Sequence, residues 1–96
     1  MRYKINKWFV SYEIPEEWID EFESLAFSMK LKMEVRYRYV RGSAQWKNLD
    51  RVFFYDGEKR SEGNTKAKII NKENGRYELV IFDEKIDEKW NERRNK

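Results

Sequence analysis

Strict alternation of apolar and polar residues marks the segment from Leu31 to Tyr39. Its apolar positions are Leu31, Met33, Val35, Tyr37 and Tyr39, and the charged positions between them are Lys32, Glu34, Arg36 and Arg38. A period of two places successive side chains on opposite faces of a β-strand. The segment therefore predicts a strand whose apolar side chains, including the tyrosines, face the core and whose charged side chains face water.

A period near 3.6 residues follows Pro15. Trp18, Phe22, Leu25 and Met29 form one apolar stripe, and this spacing predicts an amphipathic helix over about 16–29. Proline is favoured at the first helical position, because its missing N–H costs nothing there. Phe27 falls on the far side of the helix from Trp18, and we expect it to lie under the last helix of the chain.

Further strands are predicted before this helix and after the alternating strand in the sequence. An N-terminal strand is expected from about residue 3 to residue 12. Residues 52–55 are apolar at successive positions, which is typical of a strand inside a sheet. Residues 66–72 and 76–82 read as a hairpin, because the Asn-Gly pair between them favours the positive φ angles of a tight turn.

The last helix is predicted over about 84–93, with Asp83 as its N-cap. Its apolar side consists of Ile86 and Trp90, so we expect this helix to dock weakly. Residues 56–64 combine glycine with charge and lack apolar residues, which is typical of a mobile loop. Residues 94–96 are expected to form a frayed basic tail.

The order of elements is strand, helix, three or four strands, and helix. The later connections are too short for parallel crossovers, which favours antiparallel pairing. Residues 1–96 are therefore predicted to form a single α+β domain. We expect one twisted antiparallel sheet of four to five strands with the first helix packed on it.

The composition argues against an enzyme and against a bound cofactor. The chain contains no His and no Cys, and these residues supply most zinc, copper and haem ligands and most nucleophile–base pairs. No Gly-rich phosphate loop occurs. No Asp or Glu lies in an apolar run that would raise its pKa for acid–base work.

Charge and hydropathy favour a soluble cytoplasmic protein. Charged residues make up 41% of the chain and leave a net charge of +3. No apolar run approaches the roughly 18 residues that a membrane span needs, so no membrane association is expected. Abundant Lys and Glu with no Cys fit a thermophilic source, although an AT-rich coding sequence would give a similar bias.

One basic surface is the candidate site. It comprises the cations of the alternating strand and the loop that follows, with one tryptophan: Lys30, Lys32, Arg36, Arg38, Arg41, Trp46 and Lys47. Cations beside an aromatic ring can hold a phosphate backbone and stack bases. This predicts nucleic-acid binding with limited sequence preference. The same residues could instead keep a sheet face solvated.

A protein-interaction module is the alternative function. Such a module, for example a small inhibitor or adaptor from a virus or another mobile element, would use the edge of the same strand or the acidic first helix. Self-association through an open sheet edge is a further alternative. The salt dependence of binding distinguishes nucleic-acid binding from a protein-interaction module, because binding through phosphate contacts weakens steeply as salt is raised.

Overall fold

The computed structural model describes residues 8–37 and 49–95 of the 96-residue chain. Within these residues, five strands and two helices follow one another. They are β1 (Val10–Pro15), α1 (Glu17–Ser28), β2 (Lys32–Tyr37), β3 (Leu49–Tyr55), β4 (Thr65–Asn71), β5 (Arg76–Ile81) and α2 (Glu84–Arg94). The strands form one antiparallel sheet. The predicted α+β fold is confirmed.

The strand order across the sheet is β1-β5-β4-β3-β2. The first strand therefore lies beside the last, and β1 and β2 are the two edge strands. Pro15 ends β1 opposite Arg76, and α1 begins two residues later. The prediction that Pro15 starts the helix is wrong. An edge strand tolerates proline, because its missing N–H can face away from the ladder.

Both helices pack on the same side of the sheet. The buried residues of α1 are Ile19, Phe22, Leu25 and Ala26, and those of α2 are Ile86 and Trp90. The Trp90 ring is 1% exposed and lies edge-on to Phe22, with 5.3 Å between ring centroids. The apolar side of α2 is thus fully buried, and the weakness of its docking stays a prediction. Asp83 caps the helix as predicted, accepting from the Lys85 N–H at 2.8 Å.

The β4–β5 hairpin follows the predicted alternation. Tyr77, Leu79 and Ile81 are buried in the core beneath the helices. The turn residues Glu73, Asn74 and Gly75 have φ angles of 68°, 66° and 75°. The positive φ values thus cover one residue more than the Asn-Gly pair that predicted the turn. They reverse the chain, and the Lys72 N–H donates a hydrogen bond to the Arg76 carbonyl oxygen at 3.0 Å.

Two aromatic residues differ from their predicted placement. Tyr37 is 56% exposed rather than buried, because the pairing register between β2 and β3 shifts at Arg36/Tyr37 and the alternation breaks there. Phe27 is also exposed. It does not lie under α2, since α2 packs against the side of α1 that carries Trp18 and Phe22.

Candidate functional site

The side of the sheet opposite the helices, here called the open face, carries the candidate site. The strand register aligns one row of its side chains across all five strands: Ser11, Val80, Lys68, Phe53 and Glu34. Neither described helix contributes to this side, because the buried residues of both belong to the core cluster. Within residues 8–37 and 49–95, the open face is therefore the side of the sheet that no helix covers.

Phe53 lies at the centre of a charged cluster on the open face. The Arg60 guanidinium lies 3.9 Å from the Phe53 ring centroid, and that of Arg36 lies 5.3 Å from it. The Arg36 Nε lies 3.1 Å from one carboxylate oxygen of Glu34, and the Arg60 Nε lies 3.1 Å from the other. Phe53 is therefore only 8% exposed although no described helix covers it. We call Phe53, Arg36, Arg60 and Glu34 the Phe53 cluster.

The two arginines also set the ionisation of Glu34. Desolvation alone would raise the pKa of this carboxyl, but hydrogen bonds from Arg36 and Arg60 and the charges of the two guanidinium groups outweigh it and lower the pKa below the ordinary value. Glu34 is therefore ionised at neutral pH. It holds both arginines over the Phe53 ring and partly neutralises them.

A groove of about 440 Å³ lies beside this cluster. Its aromatic lining residues are Trp8, Phe53 and Phe82, and its basic lining residues are Arg60, Lys66 and Lys68. Glu62 is the acidic residue of the lining. A volume of this size falls in the range of roughly 300–1,000 Å³ that is typical of ligand sites.

The lysines of the groove result from the alternation along β4. Ala67 and Ile69 are buried in the core, so Lys66 and Lys68 project onto the open face. Neither lysine forms an ion pair with a described residue. The Lys68 Nζ lies 5.9 Å from the centroid of the Phe82 ring. Lys68 thus places an ammonium group beside an aromatic ring, and Lys66 lines the same groove.

The aromatic end of the groove is formed by the chain before β1 and the residue after β5. Trp8 is 40% exposed and lines the groove with Phe82. The exposed Phe9 ring lies 6.5 Å from Phe82. The Phe9 and Phe82 rings are therefore neighbours, and Trp8 lines the same groove as Phe82. A flat ligand could therefore cover apolar surface here while its charges reach the lysines.

The segment 56–64 supplies Arg60 to the Phe53 cluster. Asn64 organises this segment: its Nδ2 donates to the Lys59 carbonyl oxygen at 2.8 Å, and its Oδ1 accepts from the Ser61 N–H at 2.7 Å. The Asp56 N–H donates to the Asn64 carbonyl oxygen at 3.1 Å. The mobility of this segment stays a prediction, but its hydrogen bonds hold Arg60 over the sheet.

The residues predicted for the site fall in three places. Lys32 is exposed on β2, opposite Tyr55. Lys30 is exposed in the turn after α1, with a φ angle of 65°. Arg36 lies on the open face and is paired with Glu34, which partly neutralises its guanidinium. The remaining members lie outside the described residues: Arg38, Arg41, Trp46 and Lys47.

Arg60, Lys66 and Lys68 were not predicted as site residues. The alternation of Lys66, Ala67, Lys68 and Ile69 carries the same signal as the one in β2, and it could have identified both lysines. The pairing of Arg36 also had a signal, because Glu34 is two residues away on the same face of the strand. No pattern in the sequence indicated the position of Arg60, since this position depends on how segment 56–64 folds back over β3.

Acid–base and cationic features elsewhere are limited. Burial first, and the nearby charge of Asp20 second, raise the pKa of Glu23 on α1, although Glu23 does not lie in an apolar run of the sequence. The basic tail begins inside the helix, because Arg94 is the last residue of α2 and lies 4.9 Å from the Trp18 ring centroid. Lys96 lies outside the described residues.

Metal and membrane sites have no support in the described part of the chain. Residues 8–37 and 49–95 contain no group of three or more carboxylates placed to hold a metal ion. No helix in these ranges is long and apolar enough to cross a membrane. Comparisons of the chain with protein-family models, with curated proteins and with solved structures return no match.

Proposed function

We propose that this protein binds nucleic acid through the groove on the open face. One observation carries the proposal: Lys66 and Lys68 have no ion-pair partner among the described residues, and they lie beside the rings of Phe82 and Trp8. Ammonium groups bind phosphate as point charges, and aromatic faces stack bases. The groove offers both kinds of contact within one cavity.

The charge distribution supports the same ligand class. Two acidic residues on the open face lie near cations: Glu13 lies 3.4 Å from Arg76, and Glu78 lies 3.9 Å from Lys72. In the groove itself, Arg60, Lys66 and Lys68 outnumber the one acidic lining residue, Glu62, so the lining carries a net positive charge. A net charge of +3 gives a modest long-range field, so we expect moderate affinity that falls with salt.

Limited sequence preference follows from the residue types in the groove. Lysine contacts phosphate, which carries no sequence information. Stacking on Trp8 and Phe82 tolerates every base, because each base has a π face. Lys32 at the edge strand extends the basic surface beyond the groove. The contribution of Arg38, Arg41, Trp46 and Lys47 stays a prediction.

The test is a fluorescence-anisotropy titration of labelled DNA and RNA, each single-stranded and double-stranded, at about 50 mM salt. Changing both groove lysines, Lys66→Glu with Lys68→Glu, should weaken binding at least about tenfold, since two attractive contacts become repulsive. The matched control is Lys85→Glu with Lys89→Glu, which reverses the same amount of charge on exposed positions of α2.

The two double variants decide the proposal together. Near-normal binding by the α2 variant and lost binding by the groove variant would support it. Equal losses in both variants would show that only net charge matters and would overturn the groove assignment. No binding of any of the four probes by the unaltered protein would remove nucleic acid as the ligand.

A protein-interaction module is the second candidate, and the exposed sheet edges favour it. Among the described residues, β1 pairs only with β5 and β2 pairs only with β3, so each has one free side that could accept another strand. The exposed Tyr37 lies at the end of β2. Sedimentation analysis over a range of concentrations tests the self-associating form, and a constant monomer mass would exclude it.

A further inference from the structure

We infer that the strand bound in this groove is single-stranded, with bases stacked on Trp8 and Phe82 while its phosphates contact Lys66 and Lys68. This inference rests on the proposed function and narrows it to one class of ligand. A duplex already stacks its bases inside the helix, and its outer surface presents phosphate and sugar. The aromatic rings of the groove would then have no base face to contact.

The aromatic surface is the first argument. Trp8 is 40% exposed and lines the groove with the half-buried Phe82, whose ring lies 6.5 Å from that of the exposed Phe9. These aromatic residues give the groove an apolar surface that lysine-to-phosphate contacts alone would leave unused. Unpaired bases can cover these rings, and stacking on aromatic side chains is the usual way that proteins hold single strands.

The placement of cations beside rings is the second argument. The Phe82 N–H donates to the Lys66 carbonyl oxygen at 2.8 Å, so these two residues are neighbours on adjacent strands. Lys68 Nζ lies 5.9 Å from the Phe82 ring centroid. A base stacked on Phe82 would therefore have its own backbone within reach of two ammonium groups. This alternation of ring and cation suits the alternation of base and phosphate along one strand.

A second stacking position lies across β4. The Arg60 guanidinium covers the Phe53 ring at 3.9 Å and lines the same groove, and guanidinium planes also stack bases. Phe53 on β3 is aligned with Lys68 and Val80, and Phe82 lies two residues beyond Val80, just after β5. At about 4.8 Å per strand and about 3.3 Å per residue, Phe53 and Phe82 are roughly 12 Å apart. About three to four stacking steps of roughly 3.4 Å each cover that distance.

The experiment compares a single strand with a duplex of equal length. The probes are fluorescein-labelled oligothymidylate of about 12 nucleotides and a duplex of about 12 base pairs, each in DNA and RNA forms, with oligouridylate as the RNA single strand. Anisotropy gives the affinity, and the part of the tryptophan quenching that is lost in Trp8→Ala reports contact with Trp8, since the chain has four tryptophans. We expect the single strands to bind at least about tenfold more tightly than the duplexes and to quench the fluorescence.

Ring variants then test the stacking directly. Trp8→Ala and Phe82→Ala should each weaken single-strand binding at least about fivefold and leave duplex binding unchanged. Phe27→Ala is the matched control, because it removes an exposed ring from α1 on the helical side of the molecule. Melting curves establish that each variant is folded. If Phe82→Ala is unfolded, single-strand binding by Trp8→Ala and Phe82→Leu tests the stacking instead.

The outcomes separate the inference from the proposed function. Duplex binding as tight as single-strand binding, with Trp8→Ala neutral, would overturn the single-strand inference and leave nucleic-acid binding standing. Losses of equal size in Phe27→Ala and Trp8→Ala would also overturn it. No binding of either class of probe would overturn the proposed function itself.

Discussion

Neutralising the two groove lysines should change the salt dependence of binding by a predictable amount. The perturbation is Lys66→Gln with Lys68→Gln. Glutamine keeps a flexible polar side chain, and neither lysine has an ion pair with a described residue to lose. The fold should therefore survive, and the difference in binding should report the missing phosphate contacts.

The magnitude follows from counting the phosphates that the lysines would contact. Each contact with a single strand contributes about 0.7 to the slope of log affinity against log salt. Two lost contacts lower that slope by about 1.4. Between about 50 and 200 mM salt, a fourfold change, the affinity advantage of the unaltered protein over the variant should then shrink about sevenfold.

The assay is an anisotropy titration with a single-stranded probe at four or more salt concentrations. Lys85→Gln with Lys89→Gln is the control, since it removes the same charge from exposed positions of α2 and should leave the slope nearly unchanged. An unchanged slope in the groove variant would refute the assignment of these lysines to phosphate. An equal decrease of the slope in the groove variant and in the α2 variant would also refute this assignment.

Three further predictions concern stability and the Phe53 cluster. Trp90→Ala should lower the free energy of unfolding by about 3–5 kcal/mol, because it empties a fully buried site; a loss below about 1 kcal/mol in denaturant unfolding would contradict the role of Trp90 in docking α2. Glu34→Gln should tighten nucleic-acid binding, because it releases Arg36 and Arg60 from a competing carboxylate; unchanged or weaker binding in anisotropy would count against this. Glu23→Gln should raise the melting temperature at pH 7, since the raised pKa of Glu23 means that the folded state disfavours its charged form. This gain should disappear as pH falls below the ordinary value of 4.5, where the carboxyl is neutral in both states; a gain independent of pH would contradict the assignment.

Local patterns predicted the elements of this fold well. The stripe from Trp18 to Leu25 predicted α1, and the alternation around Leu79 predicted which side of β5 is buried. These signals are local, because a helix or strand must place one side against the core whichever elements cover it. The antiparallel pairing was also predictable, since the connections are short.

Long-range placement was beyond these patterns. The pairing of β1 with β5 joins residues near opposite ends of the described chain, and many strand orders would bury the same apolar residues. The burial of Tyr37 was wrongly predicted because one register shift ends the alternation. The position of Arg60 over Phe53 depends on the path of a charged segment with no periodicity.

The sequence pattern placed the candidate cations on β2 and in the loop after it, whereas the proposed groove draws its lysines from β4 on the same side of the sheet. Arg36 faces the open side as expected, yet Glu34 neutralises it. Lys66 and Lys68 on β4 flank the buried Ala67 and form no ion pair with a described residue. Counting cations along one strand could not distinguish these cases. The difference lies in whether a carboxylate occupies a neighbouring position on the same face.

Mapping of amide chemical shifts by NMR tests the central claim most directly. A single-stranded oligonucleotide of about 12 nucleotides is titrated into the isotopically labelled protein at low salt. The account predicts that the largest shifts fall on the amides of Lys66, Lys68 and Phe82 and on the indole N–H of Trp8, while exposed positions of α1 and α2 stay unchanged. Shifts centred on the helices, or none at any concentration of oligonucleotide, would contradict it.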